Sequence, residues 1–265
     1  MTSDPRFPAL FVIGIAHCGS TLFGRMLDSH PRIRCTGETL WLDRALRDGT
    51  ACSCGARLDR CPEWQRLMPL LGPEHGYDHR KLSFEHFLEL RRAAGADMLV
   101  DLSKTRVWRQ GRGWREQGAG YVLLIRDPRG VLAATQRAKK DVRSRIGRYI
   151  KWQRRLAEFA KQSGDSAMVV FYEDLCRDNE ATLRRVTEFC GLPYDEAMQR
   201  PADQKHHFIG PSRSPYLKGS NELRVDERWR TELRAPLLAE IEKAVARVPL
   251  PRERYLEGPE SAPSS

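Results

Sequence analysis

The sequence predicts an α/β fold: a three-layer sandwich with a central parallel sheet flanked by helices. Three observations carry this. Short apolar runs alternate with segments of helical period. The runs are continuously apolar, as expected of strands buried on both faces. The first run passes through a glycine-bearing loop directly into a helical segment, the start of a βαβ unit.

The elements follow in order. Leu10–Gly14 reads as the first strand and Leu22–Ser29 as the helix after it. Met98–Leu102 is a second strand; Tyr121–Ile125 is a third, followed by a helix over Gly130–Lys139; Met168–Tyr172 is a fourth, followed by a helix over Glu180–Cys190. The chain is irregular from Pro201 to Leu223. Val225–Val248 then returns to a helical pattern through Trp229, Leu233, Leu237, Leu238 and Ile241. Between Arg47 and Lys81 lies a Gly-, Pro- and Cys-rich stretch with no clean period, read as an insertion over one end of the sheet. These elements make one domain, 5–256, with a disordered tail, 257–265.

Composition bounds the function. A chain of 265 residues, 40% apolar and 8% aromatic, can bury a full core and lies near the upper limit for a single one. No apolar run approaches the roughly 18 residues of a membrane span. The N-terminus lacks the pattern of a secretory signal, so the expected location is cytoplasmic. Seven cysteines, an odd number, argue for reduced thiols rather than a disulfide framework. The excess of 45 Lys+Arg over 35 Asp+Glu, a net charge of +10, favours an anionic partner such as a nucleotide, a nucleic acid or an acidic acceptor.

A motif localises part of that charge preference. Phe11-Val12-Ile13-Gly14-Ile15-Ala16-His17-Cys18-Gly19-Ser20-Thr21-Leu22 is an apolar strand, a loop with glycines five apart and a helix start. In that context backbone N–H groups at the helix N-terminus cradle an anionic phosphate. The spacing is that of a P-loop, G-x-x-x-x-G-K-[ST], with Ser20 at the lysine position, so the sandwich is of P-loop type. That lysine contacts the β- and γ-phosphates of a nucleoside triphosphate. Its replacement suits a nucleotide without a γ-phosphate. A ligand-free strand-to-helix turn is the alternative.

Gly14–Thr39, GIAHCGSTLFGRMLDSHPRIRCTGET, resembles the 5′-phosphosulfate-binding segment of sulfotransferases that use 3′-phosphoadenosine 5′-phosphosulfate (PAPS), and is especially similar to the start of the tyrosylprotein sulfotransferases. The resemblance implies donor-binding roles for His17, Cys18, Gly19, Ser20, Thr21 and Leu22, with Ser20 and Thr21 as phosphosulfate-binding hydroxyls. His17 stands where the family has Lys or Arg. An imidazole in that role implies a rate that falls as it deprotonates.

Arg126-Asp127-Pro128-Arg129, at the end of the third strand read above, resembles the family's 3′-phosphate motif, in which the first arginine is the ligand. The family's serine eight residues on is Ala134 here, with Thr135, Arg137 or Lys139 as possible substitutes. Residues 169–195, VVFYEDLCRDNEATLRRVTEFCGLPYD, resemble a scaffold segment of the family, with Asp174 and Glu180 placed to cap a helix. His206–Gly210, Lys218-Gly219 and Asp226–Trp229 resemble a C-terminal loop over the nucleotide, making Arg213, Lys218 and Gly219 candidate ligands.

For catalysis the resemblance implies Glu38 as general base toward a hydroxyl acceptor (peptide tyrosine, carbohydrate or small molecule) and Lys104 as the cation on the transferring group. Arg106 stands where the cytosolic enzymes of small molecules carry a base histidine, which favours the glutamate. As alternatives, Glu38 pairs with a neighbouring arginine and Lys104 is a solvated strand end. The chemistry requires no metal, and no metal ligand is assigned. Cys52, Cys54 and Cys61 could take zinc with His75 or His79, but their spacing fits no standard pattern. The insertion is placed near the acceptor site. An ATP-dependent kinase-like phosphotransferase is the alternative enzyme. A nucleic-acid-binding module is the alternative outside enzymes, resting only on the basic run Lys139, Lys140, Arg143, Arg145, Arg148, Lys151, Arg154 and Arg155.

Overall fold

The computed structural model describes residues 4–78, 81–104, 113–138, 141–209, 220–248, 251 and 254–255. Five strands, β1 (Ala9–Ile13), β2 (Ile33–Cys35), β3 (Met98–Asp101), β4 (Ala119–Ile125) and β5 (Ala167–Phe171), form one sheet in the order β2-β3-β1-β4-β5. Every pairing is parallel, with Phe11 opposite Asp101 on one side and Tyr121 on the other. β1 is therefore central, and the C-terminal ends of its neighbours converge on the loop that follows it. This is the edge at which open α/β sheets bind ligands.

The helices are α1 (Ser20–Asp28), α2 (Leu42–Arg47), α3 (Pro62–Leu67), α4 (Phe84–Ala93), α5 (Pro128–Arg137), α6 (Arg143–Ser163), α7 (Tyr172–Arg177), α8 (Asn179–Cys190), α9 (Trp229–Glu232) and α10 (Ala235–Val245). Alternate residues of β1 divide the core. Ala9, Phe11 and Ile13 face a layer containing Phe84, Phe87, Leu156 and Phe159, from α4 and α6. Leu10 and Val12 face Phe23, Met26, Leu183 and Val186, from α1 and α8. The Phe11 face is aromatic: its ring meets Phe87 edge-on at 5.0 Å, and Tyr121 meets Phe159 edge-on at 4.9 Å. A third cluster packs α9 and α10 onto Val131, Leu132, Ile146 and Tyr149.

β2, α4 and α6 were not read from the sequence, and two segments that were read differ. Val225–Val248 holds two helices with an extended Leu233-Arg234 between them, because Pro236 has no N–H to bond Glu232 O and a continuous helix cannot pass through it. The 47–81 stretch is part of the core, with Trp64, Leu67 and Leu71 buried on the Phe11 face. Asp174 does not cap α8. Asp178 does, accepting from the Ala181 N–H at 3.0 Å, and Glu180 pairs with Arg184. The tail, 257–265, lies outside the described residues.

Among the described residues no helix is long and apolar enough to cross a membrane. A late segment of the chain braces the loop after β2. Ile209 donates to Thr36 O at 3.0 Å and accepts from the Glu38 N–H at 2.7 Å. Gly37, between them, has φ 77, and a Cβ there would lie 2.4 Å from Ile209 O. Gly37→Ala combines a left-handed backbone with a collision against main chain, and is expected to cost about 2 kcal/mol or more. Thermal unfolding checks this: a midpoint lowered by several degrees is expected, and an unchanged one would show that the brace is dispensable.

Candidate active site

The loop after β1 has a geometry that can seat an anion. Gly19, with φ 96, caps α1, and the first-turn N–H groups of that helix have no intrahelical acceptors. A Cβ on Gly19 would lie 2.3 Å from the ring of Tyr172, so the loop can run this close to α7 only with glycine there. Ser20 is buried, and Thr21 and Leu22 are half-buried along the same turn. The Cys18 side chain points away into the core beneath Gly14, and burial pushes its thiol up. Only its main chain can face an anion.

Arg126 reaches this loop from the end of β4. It is 7% exposed, donates from Nη1 to His17 O at 3.0 Å and from Nη2 to Asp226 Oδ2 at 3.0 Å, and stacks over Tyr172 at 4.4 Å. Arg129 is committed elsewhere. It forks onto Asp127, whose Oδ1 accepts the Arg129 N–H at 2.8 Å to cap α5, and it stacks on Trp229 at 4.1 Å. The strand-end motif therefore aims one guanidinium at the loop.

Asp226 also accepts from Arg228 at 2.7 Å and from Arg137 at 3.2 Å. Burial opposes its ionisation, but the hydrogen bonds from Arg228 and Arg126 outweigh burial and hold its carboxyl well below the ordinary 3.8. A depressed carboxyl stabilises the fold above its ordinary value and loses that contribution as pH falls toward its folded value. The stability gap between the native chain and Asp226→Asn is expected to be full at pH 6 and to shrink below about pH 4. Urea unfolding at several pH values measures it, and a gap constant down to pH 3 would contradict the pairing.

Glu173, from the segment read as scaffold, is buried. It accepts from the Asp127 N–H at 3.0 Å and from the Tyr255 hydroxyl at 2.6 Å. Burial pushes its carboxyl up, and these hydrogen bonds oppose the rise. It ties the start of α5 to the far end of the chain.

Beside the cradle lies a cavity of about 340 Å³, walled by His17, Glu38, Trp41, Lys104, Val131, Leu132, Thr135, Tyr149 and Trp152, with Arg145 and Arg148 also on its lining. Glu38 and Lys104 form an ion pair, their side chains 14% and 16% exposed, and Glu38 Oε2 accepts from Trp41 Nε1 at 2.9 Å. The partner of Glu38 is thus Lys104 rather than an arginine. His17 and Lys104 both adopt left-handed backbones, φ 69 and 58, conformations that non-glycine residues hold only where the surroundings impose them.

Asp101 holds both halves of this arrangement. Buried at the end of β3, it accepts the Ser103 N–H at 2.8 Å on one oxygen and the Thr39 N–H at 3.3 Å and hydroxyl on the other. Burial pushes its carboxyl up against those hydrogen bonds. Thr39 follows Glu38 and Ser103 precedes Lys104, so one carboxyl sets the loops of both charged residues.

Sequence reasoning missed Asp101, Tyr172, Trp41, Tyr149 and Asp226. An aspartate one residue before the Leu102-Ser103-Lys104 strand end was the available signal for the first.

Of the remaining candidates, Thr135 lines the cavity, with its hydroxyl donating to Val131 O at 3.0 Å. Arg213, Lys218, Gly219, Arg106 and Lys139 lie outside the described residues. No described residue of the 47–81 insertion lines the cavity; its buried side chains pack into the core on the Phe11 face. Its cysteines do converge, but with His207. His75 pairs with Glu74 instead, and His79 lies outside the described residues.

A family model described as "Sulfotransferase family" matches residues 8–104 and 117–196, more than half of the chain. The chain belongs to the sulfotransferase family, whose chemistry is sulfuryl transfer. It is 25% identical over 201 residues to protein-tyrosine sulfotransferase A of Caenorhabditis elegans, 71% of this chain but 51% of that protein. It is 24% identical over 261 residues to protein-tyrosine sulfotransferase 1 of Danio rerio, 93% of this chain and 68% of that one. In fold it is similar to the sulfotransferase domain of the Synechococcus PCC 7002 olefin synthase (TM-score 0.61, 22% identity, 92% and 96% of the two chains). The sulfotransferase domain of the curacin biosynthetic pathway is similar too (TM-score 0.63, 18% identity, 90% and 96%).

Proposed function

We propose that the chain transfers a sulfuryl group from PAPS to a hydroxyl acceptor, with Glu38 as general base. The observation that carries this reading is the placement of one carboxylate, Glu38, and one ammonium, Lys104, face to face on a cavity that His17 joins from the phosphate loop. The residues fit the donor. The first-turn N–H groups of α1 can meet an anion, Ser20 and Thr21 offer hydroxyls, and Arg126 supplies a guanidinium for the 3′-phosphate.

Glu38 accepts the proton of the acceptor hydroxyl as its oxygen bonds to sulfur. Lys104 and His17 meet the negative charge that develops on the bridging oxygen as its bond to sulfur breaks. No step requires a metal. The cavity's Trp41, Tyr149 and Trp152 suit a planar acceptor, and relatives named for protein tyrosine support peptide tyrosine beside carbohydrate or small-molecule hydroxyls.

An ATP-dependent phosphotransferase is the second reading of the loop, disfavoured by Ser20 in the lysine position. A nucleic-acid module is disfavoured because the basic run is divided. Arg145 and Arg148 face the cavity, and Arg143 pairs with Glu240 at 3.0 Å. Calorimetry separates these readings. Tight binding of 3′-phosphoadenosine 5′-phosphate (PAP) without metal is expected, and a preference for ATP–Mg²⁺ or for DNA would overturn the proposal.

A further inference from the structure

Three cysteines and a histidine that the transfer chemistry does not use meet in one place. Cys52 and Cys54 lie on a tight turn closed by the antiparallel bridge between Ala51 and Arg57, where the Cys52 N–H donates to Ala56 O at 2.8 Å and the Gly55 N–H to Cys52 O at 2.9 Å. Cys61 directly precedes α3, and His207 comes from the late segment that braces the Glu38 loop. The Cys61 Sγ is 3.1 Å from His207 Nδ1, the Cys52 Sγ is 3.9 Å from the same nitrogen, and the Cys54 and Cys61 sulfurs are 3.8 Å apart. All four candidate ligand atoms lie within 4.8 Å of one another.

Tetrahedral zinc, with bonds of about 2.3 Å to sulfur and about 2.0 Å to nitrogen, sets its ligands about 3.8 Å apart between sulfurs and about 3.5 Å from sulfur to nitrogen. The separations here bracket those values.

The ligand-bearing segments are also fixed by hydrogen bonds of their own. The Ser53 hydroxyl donates to His206 O at 2.7 Å and accepts the Phe208 N–H at 2.9 Å. Trp64 Nε1 donates to His207 O at 2.9 Å. Such outer contacts orient metal ligands before the ion arrives.

We propose that Cys52, Cys54, Cys61 and His207 bind one Zn²⁺ as a closed structural site that fastens the insertion to residues 206–209. Three thiolates and a neutral imidazole fill all four positions, which leaves none for substrate, so the ion's role is structural. The three thiols give up their protons on binding. The fastening reaches the active site within two residues of His207, because Ile209 bonds both Thr36 and Glu38.

The test is metal analysis of the full chain purified without chelator, together with zinc release under titration with a mercurial. About one zinc per chain is expected, released as the thiols react. The cobalt-substituted protein is expected to show thiolate charge-transfer bands and the intense visible bands of a tetrahedral site.

Cys61→Ser and His207→Ala should each lose the zinc. Cys190→Ser, altering a cysteine buried on the opposite face of the sheet, should keep it. If loss of a ligand prevents folding, His207→Cys keeps four ligands and should retain zinc with a cobalt spectrum shifted toward four thiolates. Failure of the reduced, metal-free chain to take up Zn²⁺, or undiminished zinc in both Cys61→Ser and His207→Ala, would overturn the proposal. So would a Cys54–Cys61 disulfide in the native protein. These readouts measure metal and not turnover, so they stand apart from the sulfotransferase assignment.

Discussion

Glu38→Gln is expected to lower turnover by about 10²- to 10⁴-fold while leaving the affinity for PAP unchanged. The amide keeps the size of the side chain and can still accept from Trp41 Nε1, but it cannot take a proton from an acceptor hydroxyl. Because Glu38 also pairs with Lys104, part of any loss could arise from a displaced ammonium. Lys104→Met separates the two. It removes the charge on the leaving side and leaves the carboxylate, so its rate should still respond to acceptor acidity, whereas that of Glu38→Gln should depend far more steeply on it. Full turnover in Glu38→Gln would remove the glutamate as base, and equal PAP affinity in both variants would place the effect in chemistry rather than donor binding.

What the sequence disclosed depended on the range of the contacts. The glycine turn between β1 and α1 was legible because strand, glycine, hydroxyls and helix follow one another within twelve residues. The end of β4 was legible because Pro128 stops a strand and opens a helix, with Asp127 as the cap. Glu38 and Lys104 were legible one at a time. Their meeting depends on parallel pairing that brings the loops after β2 and β3 together, with Leu102 N–H donating to Gly37 O at 2.7 Å.

The partners of Arg126 were not legible. Asp226 follows it by 100 residues, and Tyr172 lay inside a segment that looked like scaffold. α6 was read only as a basic run because its arginines and lysines hide the spacing of Ile146, Tyr149, Gln153, Leu156 and Phe159 on its buried side. β2 has three residues with an arginine in the middle, too few to show a period. The cysteines were visible, but a search of nearby sequence for the fourth ligand could not find a histidine 146 residues beyond Cys61.

Arg126→Ala should weaken binding of PAP by about 100-fold or more, since it truncates a buried charged donor at the proposed 3′-phosphate site. The fold should survive, because Asp226 keeps Arg228 and Arg137 as partners. A competing account makes Arg126 only a strap that ties the loop, through His17 O, to Asp226. The two accounts give opposite signs for Asp226→Asn. If Arg126 is a strap, weakening its far anchor loosens the loop and costs affinity. If Arg126 is a ligand, Asp226 competes with the 3′-phosphate for the same guanidinium, and removing its charge should leave PAP affinity equal or higher. Arg126→Lys falls between native and alanine on the ligand account, because an ammonium keeps the charge but not the fork. Calorimetry on the three variants, with thermal unfolding to confirm that each is folded, decides the matter. Loss of affinity in Asp226→Asn comparable to that in Arg126→Ala would move Arg126 out of the nucleotide site and into the architecture of the loop.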